Sequence, residues 1–339
     1  MLTTRRAKSV GLILGLGLTL LAFVTSIALG TTPISPATLS SALLHYDPSQ
    51  VNHIILLTER LPRAVVAALV GASLAIAGAL MQTMTRNPLA SPGILGINAG
   101  AMFFVVVTVS LLPLSSPAEY VWPALLGAFV AAVLVILLSR GRHGEVSPLR
   151  VVLAGVAVTA LFVSFSQGLL IVDQQGFESV LFWLAGSVAG RDLALVTPLL
   201  PLFLVAIVIC AVLARHANAL LLGEDMVKGL GINVTTIKAL LGLAVILLAG
   251  SSVAIAGMIG FVGLIVPHMA RGLFGLDHRW MLPGCALLGA CLLLTADVAA
   301  RFLMPPQDVP VGVMTALIGT PFFIYIARRE AGHHTKGRA

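Results

Sequence analysis

The chain has 339 residues, of which 58% are hydrophobic and only 10% charged, with a formal net charge of +7. Soluble domains carry roughly 25% charged residues, so this composition cannot build a water-facing surface. A mean hydropathy of +1.05 makes lipid the solvent, and residues 1–339 read as one all-α, polytopic membrane domain. Cys210, Cys285 and Cys291 lie inside apolar runs, where cysteine acts as a small hydrophobe. No disulfide framework or zinc spacing accompanies them.

A helix crosses the hydrocarbon core with about 20 apolar residues. Pro, Gly and charged punctuation bounds ten such runs: 9–30, 61–83, 93–112, 121–139, 150–172, 193–214, 236–257, 259–274, 281–303 and 311–327. The first follows Arg5, Arg6 and Lys8 and ends at Ala28-Leu29-Gly30, a sequence resembling a signal-peptide cleavage site. The apolar region of a signal peptide runs about 7–15 residues; this one is longer, so a retained first helix is expected. Basic residues mark cytoplasmic segments. Placing the N-terminus inside puts 16 of the 20 Lys and Arg in inner segments and leaves Arg60, Arg63, Arg191 and Arg301 outside. Both termini are then cytoplasmic. The positive charge is topological, and nucleic-acid binding explains it poorly.

Gly71-Ala-Ser-Leu-Ala-Ile-Ala-Gly78 and Gly250-Ser-Ser-Val-Ala-Ile-Ala-Gly257 agree at six of eight positions. They are placed at the openings of spans two and seven, which cross in opposite directions, so an inverted internal repeat is expected. Small-residue helices are common in membranes, and chance convergence is the alternative. Between Arg86 and Gly96 the sequence Arg86-Asn-Pro-Leu-Ala-Ser-Pro-Gly93 stops a helix. A break this close to lipid must be buried in protein or line a cavity. It reads either as an ordinary turn or as a constriction at the inner mouth of a path.

These residues carry a family resemblance. Leu61-Pro-Arg63, the glycines and Gln82, and Arg86-Asn-Pro-Leu-Ala-Ser-Pro-Gly-Ile-Leu-Gly96 resemble the iron-complex/cobalamin (FecCD-type) permeases of ABC importers. The resemblance continues through Phe182-Trp-Leu-Ala-Gly-Ser187, Leu222-Gly-Glu224, Gly260-Phe-Val-Gly-Leu-Ile-Val-Pro-His-Met-Ala-Arg271, Asp277-His-Arg279, Ala296-Asp297 and Pro310-Val-Gly-Val-Met-Thr-Ala-Leu-Ile-Gly-Thr-Pro321. It implies a homo- or heterodimer of permease subunits with ten helices each. It also implies an extracytoplasmic binding protein, two cytoplasmic ATPase subunits, a location in the bacterial cytoplasmic membrane, and an iron(III)–siderophore-type chelate, ferric citrate included, as cargo. No cofactor and no catalytic residue is expected. The chain has no Gly-Lys dipeptide, hence no Walker A phosphate loop, so ATP hydrolysis belongs to another chain.

The segment 217–234 is the longest internal cytoplasmic stretch and holds a short helix, with acidic residues after Gly223 at its start and glycines 229 and 231 at its end. The resemblance makes Gly223, Glu224, Asp225 and Gly231 the ATPase-coupling residues. It makes Arg60, Arg63 and Arg301 the docking points for the binding protein. Asp297 stands four residues before Arg301, so an internal pair is the alternative. Gln82, Asn87, Leu89, Ser147 and Pro148 are assigned to the translocation path and its gate. Pro148 departs from the Ser/Thr cluster of cobalamin permeases and leans the cargo toward iron chelates, with cobalamin or haem as the alternative. His268 is read as a packed histidine, His333 and His334 as solvated, and Gln82, Gln167 and Asp297 as buried polar groups. An ion-coupled secondary transporter would need mid-membrane carboxylates, of which Asp297 is the only good candidate. An intramembrane enzyme would need an acid/base or nucleophile constellation, and none is found.

Overall fold

The computed structural model describes residues 2–30, 34–112, 117–141, 147–172, 180–229, 231–304 and 307–336. Arg142 and Arg338, counted in the charge asymmetry, lie outside them. Helix α1 (Arg5–Ala28) starts at Thr4, whose hydroxyl accepts from the Ala7 N–H at 3.1 Å. Two short helices follow, α2 (Pro36–Leu44) and α3 (Val51–Ile55). A π-helical turn, Leu56–Arg60, joins α3 to α4 (Leu61–Thr85). Beyond a 3-10 turn, Pro92–Leu95, come α5 (Ile97–Leu111), α6 (Val121–Ser139) and α7 (Pro148–Val172). The second half holds α8 (Leu193–Val196), α9 (Leu200–Leu220), the short α10 (Glu224–Gly229), α11 (Val234–Ala256), α12 (Val262–Phe274), α13 (His278–Leu303) and α14 (Val311–Lys336).

Seven helical stretches among the described residues are long and apolar enough to cross a membrane, and three shorter apolar helices accompany them. Together they fall on the ten runs read from the sequence. The short ones have a physical explanation. At about 1.5 Å per residue, the 15 residues of α5 and the 13 of α12 reach only roughly 20 Å, less than the ~30 Å hydrocarbon core. Each is preceded by a break in the α-helix: 86–96, with the 3-10 turn Pro92–Leu95 inside it, before α5, and 257–261 before α12. Non-helical backbone at such depth requires burial in protein, and Ala90, Leu95, Gly257 and Ile259 are buried.

The most buried spans are α4 and α11, and the least buried is α1. Helix α4 packs against α11, α12 and α13, while α11 packs against α4, α5, α6 and α9. A five-span offset exchanges α4 with α11, α5 with α12 and α6 with α13. The contacts of α4 with α12 and α13 thus have counterparts in those of α11 with α5 and α6, whereas the extensive α9–α11 contact has only a slight counterpart in α1–α4. The two similar octapeptides lie at the middle of α4 and at the C-terminal end of α11 rather than at their openings. The reason is the packing they serve. A Cβ on Gly71 would meet the Gly289 carbonyl oxygen at 2.3 Å, and one on Gly78 would meet that of Gly263 at 1.9 Å. Both glycines let the α4 backbone touch its neighbours directly.

Replacing Gly78 by Val should therefore force α4 off α12 and cost about 1–3 kcal/mol or more. The expected result is a lowered melting temperature in detergent. Gly17→Ala, at a position with no atom within 4 Å of the added carbon, should leave it unchanged.

Candidate functional site

At one end of the bundle, four segments meet around buried charge. The last carbonyls of a helix lack their helical N–H partners, and at the end of α1 two arginines supply donors alongside the Leu29 and Ile34 N–H groups. Arg60 Nη1 donates to the Ile27 and Ala28 oxygens at 3.1 and 3.0 Å. Arg301 Nη1 donates to the Ser26 and Leu29 oxygens at 2.7 and 3.0 Å, and its Nη2 to Ser26 Oγ at 3.1 Å. Cations at a helix C-terminus also oppose its dipole. Asp297, 1% exposed, lies between two guanidinium groups. Arg63 donates to it from Nε at 3.0 and 3.1 Å and from Nη2 at 2.8 Å, and Arg301 Nη2 pairs with its other side. Arg63 Nη1 reaches Asp308 at 2.5 Å. The Asp297–Arg301 pair is thus present, but the Arg63 contact spans 234 residues and no local pattern encodes it. Arg60 and Arg301 are each only 6% exposed, and these contacts direct them inward.

The two breaks are built differently. After α4, Arg86 takes the left-handed conformation at φ +50° and ends the helix. Asn87 Oδ1 accepts from the Leu89 N–H at 2.9 Å, and the Asn87 carbonyl accepts from the Ala90 N–H at 3.1 Å. Asn87 is exposed and Leu89 half-buried. After α11, Phe261 sits at φ +65° and ψ −31°, with the Val262 N–H donating to the Gly260 carbonyl at 2.8 Å. That is close to the rare, strained γ-turn. Among the described residues, Arg86 and Phe261 are the non-glycine residues at positive φ, one in each break. The Phe182–Ser187 motif supports the second break. The Ser187 N–H donates to the Ala256 carbonyl at 2.8 Å, the Gly312 N–H to the Gly186 carbonyl at 2.9 Å, and Gly257 lies against the Trp183 carbonyl.

Gln82 ties α4 to α12. Pro267 has no N–H, which leaves the Gly263 carbonyl, four residues earlier, without its helical donor. Gln82 Nε2 reaches that oxygen at 3.3 Å and the Leu264 oxygen at 3.4 Å, while Arg271 donates to Gln82 Oε1. His268 sits edge-on to Phe322, ring centroids 6.1 Å apart. Gln167 is exposed rather than buried, because α7 is a peripheral helix.

At the opposite end, a chain of neutral side chains connects three helices. Thr83 Oγ1 lies 2.7 Å from His278 Nε2, and His278 Nδ1 lies 2.7 Å from Asn218 Oδ1. Asn218 Nδ2 donates to Asp277 Oδ1 at 2.7 Å. Burial alone would raise the Asp277 carboxyl. The hydrogen bonds from Asn218 and from the Arg279 N–H outweigh it and hold the group below the usual carboxylate value. Sequence reasoning quoted Asp277-His-Arg279 as a motif, but not Asn218, which has no visible spacing signal.

Asn218 stands just before α10. That helix begins at Glu224 after Gly223 at φ +112° and is followed by Gly231 at φ +75°. The side chains of Glu224 and Asp225 lie outside the description. Val227 is buried, whereas Leu222 and Met226 are 58% and 64% exposed. Beside α10 lies a cavity of about 620 Å³, bounded by the ends of α4 and α6, the starts of α7 and α11, and Lys228. Ser147 and Pro148 line it; Gln82, Asn87 and Leu89 do not. No cluster of metal-ligating side chains occurs among the described residues.

Residues 18–329 match the FecCD transport family. The chain belongs to that family. It is 50% identical over 313 residues to a Bacillus subtilis protein, YfiZ, described as a siderophore transport system permease, covering 92% of this chain and 93% of that one. It is 43% identical to the Fe(3+)-citrate import system permease protein YfmD of the same organism, covering 94% and 92%. A solved structure described as an inward-facing ABC transporter of metal-chelate type superposes with a TM-score of 0.80 at 30% identity, covering 94% of this chain and 98% of that one. The fold is that of a multi-pass ABC permease.

Replacing Asp297 by Asn removes the charge that neutralises two enclosed guanidinium groups. Losing one partner of a buried pair costs about 3–5 kcal/mol. The variant should melt well below the wild type in detergent, whereas Asp308→Asn, which removes only the more exposed contact of Arg63, should change it little.

Proposed function

We infer that this chain is the membrane-spanning subunit of an ATP-driven importer that carries a ferric siderophore-type chelate across the bacterial cytoplasmic membrane. Family membership over 18–329 carries the reading, and relatives named for siderophore and ferric citrate transport supply the cargo class. The chain forms one permease domain, pairs with a second permease subunit and has no catalytic centre of its own. The 16-to-4 distribution of basic residues supports cytoplasmic termini. It puts α10, Asn87, Leu89, Ser147 and Pro148 at the cytoplasmic end and the arginine cluster outside.

Helix α10 is the coupling element. Exposed Met226 on the helix and Leu222 in the turn before it, at an aqueous face, are suited to covering by a partner, here a cytoplasmic ATPase subunit, with Gly223 and Gly231 shaping the helix ends beside Glu224 and Asp225. Asn87 and Leu89, with Ser147 and Pro148, form the inner constriction, and the inverted repeat makes 257–261 its outer counterpart. Arg60, Arg63 and Arg301 serve binding-protein docking by fixing the outer helix ends rather than by presenting free charge. The ion-coupled alternative loses its carboxylate, because Asp297 is held between Arg63 and Arg301.

Uptake of radiolabelled iron from a panel of ferric siderophores, in cells with and without the gene, tests the reading. Loss of one ferric chelate, reproduced by depleting ATP, is expected. Loss that follows collapse of the proton gradient at constant ATP would overturn it. In the assembled complex, Gly223→Trp should abolish stimulation of ATP hydrolysis by the loaded binding protein. Unchanged stimulation would remove α10 from the coupling role.

A further inference from the structure

The side chains of Thr83, His278 and Asn218 join the helix end before α10 to the helix end before Asn87. Asn218 is in the last turn of α9, and its carbonyl accepts from the Leu221 N–H at 3.2 Å, in the turn that leads to α10. Thr83 is in the last turn of α4, which stops at Thr85, just ahead of Asn87. Between them, the Asn218 side chain closes on the first turn of α13. Its Oδ1 accepts from the His278 N–H at 2.8 Å and from the ring Nδ1 at 2.7 Å. Its Nδ2 donates to Asp277, the residue that caps α13. With Nδ1 donating, Nε2 of the neutral ring is an acceptor, and the Thr83 hydroxyl meets it at 2.7 Å. Thr83 and His278 are 5% and 1% exposed. Polar groups so enclosed cost free energy unless they are satisfied, and apolar side chains hold helices together without that cost. What a directional bond adds is register, the best-attested use of buried polar contacts. Helix α11 is the rival connection, since it packs on both α10 and α4. Its contact with the last turn of α4 is apolar, Gly242 against Met84, and apolar surfaces slide more readily than a fixed hydrogen bond.

We propose that Asn218, His278 and Thr83 are positioning residues that carry a displacement of α10 to the end of α4, and so to Asn87 and Leu89. When α10 shifts, the end of α9 shifts with it. Asn218 draws the first turn of α13 along, and His278 draws the last turn of α4. This rests on the coupling role of α10 and the constriction role of Asn87 and Leu89 given above, and it names the residues that link them.

The test uses the full complex, with its ATPase subunits and binding protein, in lipid vesicles. Spin labels on Met226→Cys and on Asn87→Cys, each paired with one on Leu29→Cys at the arginine-held end, report displacement when ATP binds. Unlabelled complex gives the ATP hydrolysed per ferric siderophore imported, with the siderophore that the uptake panel selects. Without further substitution, both labels should move. Thr83→Val keeps the side-chain shape and removes the hydroxyl. It should keep the displacement at position 226, diminish that at position 87, and raise the ATP hydrolysed per siderophore about two- to tenfold, the factor that one neutral hydrogen bond is worth. Thr83→Ser should restore both. Full displacement at position 87 in Thr83→Val, an unchanged ATP ratio, or no rescue by Thr83→Ser would each overturn the proposal while leaving α10 as the coupling element. A complex in which position 226 does not move at all would overturn the coupling reading as well. If Thr83→Val does not assemble, the two labels decide without it: joint movement supports the proposal, and position 87 stationary while position 226 moves overturns it.

Discussion

A backbone carbonyl inside a bilayer that loses its helical N–H must find another donor in the protein, because no water is there to replace it. Much of this structure follows from that constraint. Pro267 removes the donor for the Gly263 carbonyl, and Gln82 from α4 supplies one. At the end of α1, Arg60 and Arg301 bond the carbonyls of Ser26, Ile27 and Ala28. The break after α11 interrupts another ladder, and the Ser187 N–H closes on Ala256. In each case the donor comes from a segment distant in sequence. Meeting the local hydrogen-bonding demand is therefore what fixes the tertiary arrangement.

The same constraint explains how two related halves differ. Both contain a small-residue helix, a break and a short helix, so the two breaks sit at opposite ends of the bundle. Each break places one side-chain-bearing residue at positive φ, Arg86 and Phe261. Arg86 adopts the left-handed geometry that commonly ends helices. Phe261 holds a γ-turn that L residues seldom adopt, and observed strain of this kind persists only where its surroundings enforce it. Here the Trp183–Ser187 backbone and the start of α14 do so.

The spans were legible because lipid demands long apolar runs; α6 was bounded at 121–139 from composition alone. The short helices α2 and α3 were not, since 34–60 is mixed in character and their form depends on contacts such as Ser41 Oγ to His53 Nε2 at 3.1 Å. Polar residues were the least legible. Sequence displays a charge but not the direction in which it points. The resemblance makes Arg60 and Arg301 docking points for a binding protein, and nothing in the sequence signals that both also bond the carbonyls at the end of α1. Asn87 was read as gate, and its visible work is a side-chain turn onto the Leu89 N–H. Asp277-His-Arg279 was recognisable as a motif, but its partner Asn218 becomes meaningful only when α9 and α13 are adjacent.

The two ends are held by bonds of different strength. At one end, breaking a buried ion pair such as Asp297 with its arginines costs about 3–5 kcal/mol. At the other, Thr83, His278 and Asn218 are joined by neutral hydrogen bonds, each worth about 0.5–1.5 kcal/mol net. The weaker links are those among α4, α9 and α13 beside α10, while the arginine cluster holds α1, α4 and α13 together at the other end. The Thr83–His278–Asn218 links end on the Asp277 carboxylate, which Asn218 Nδ2 bonds at 2.7 Å.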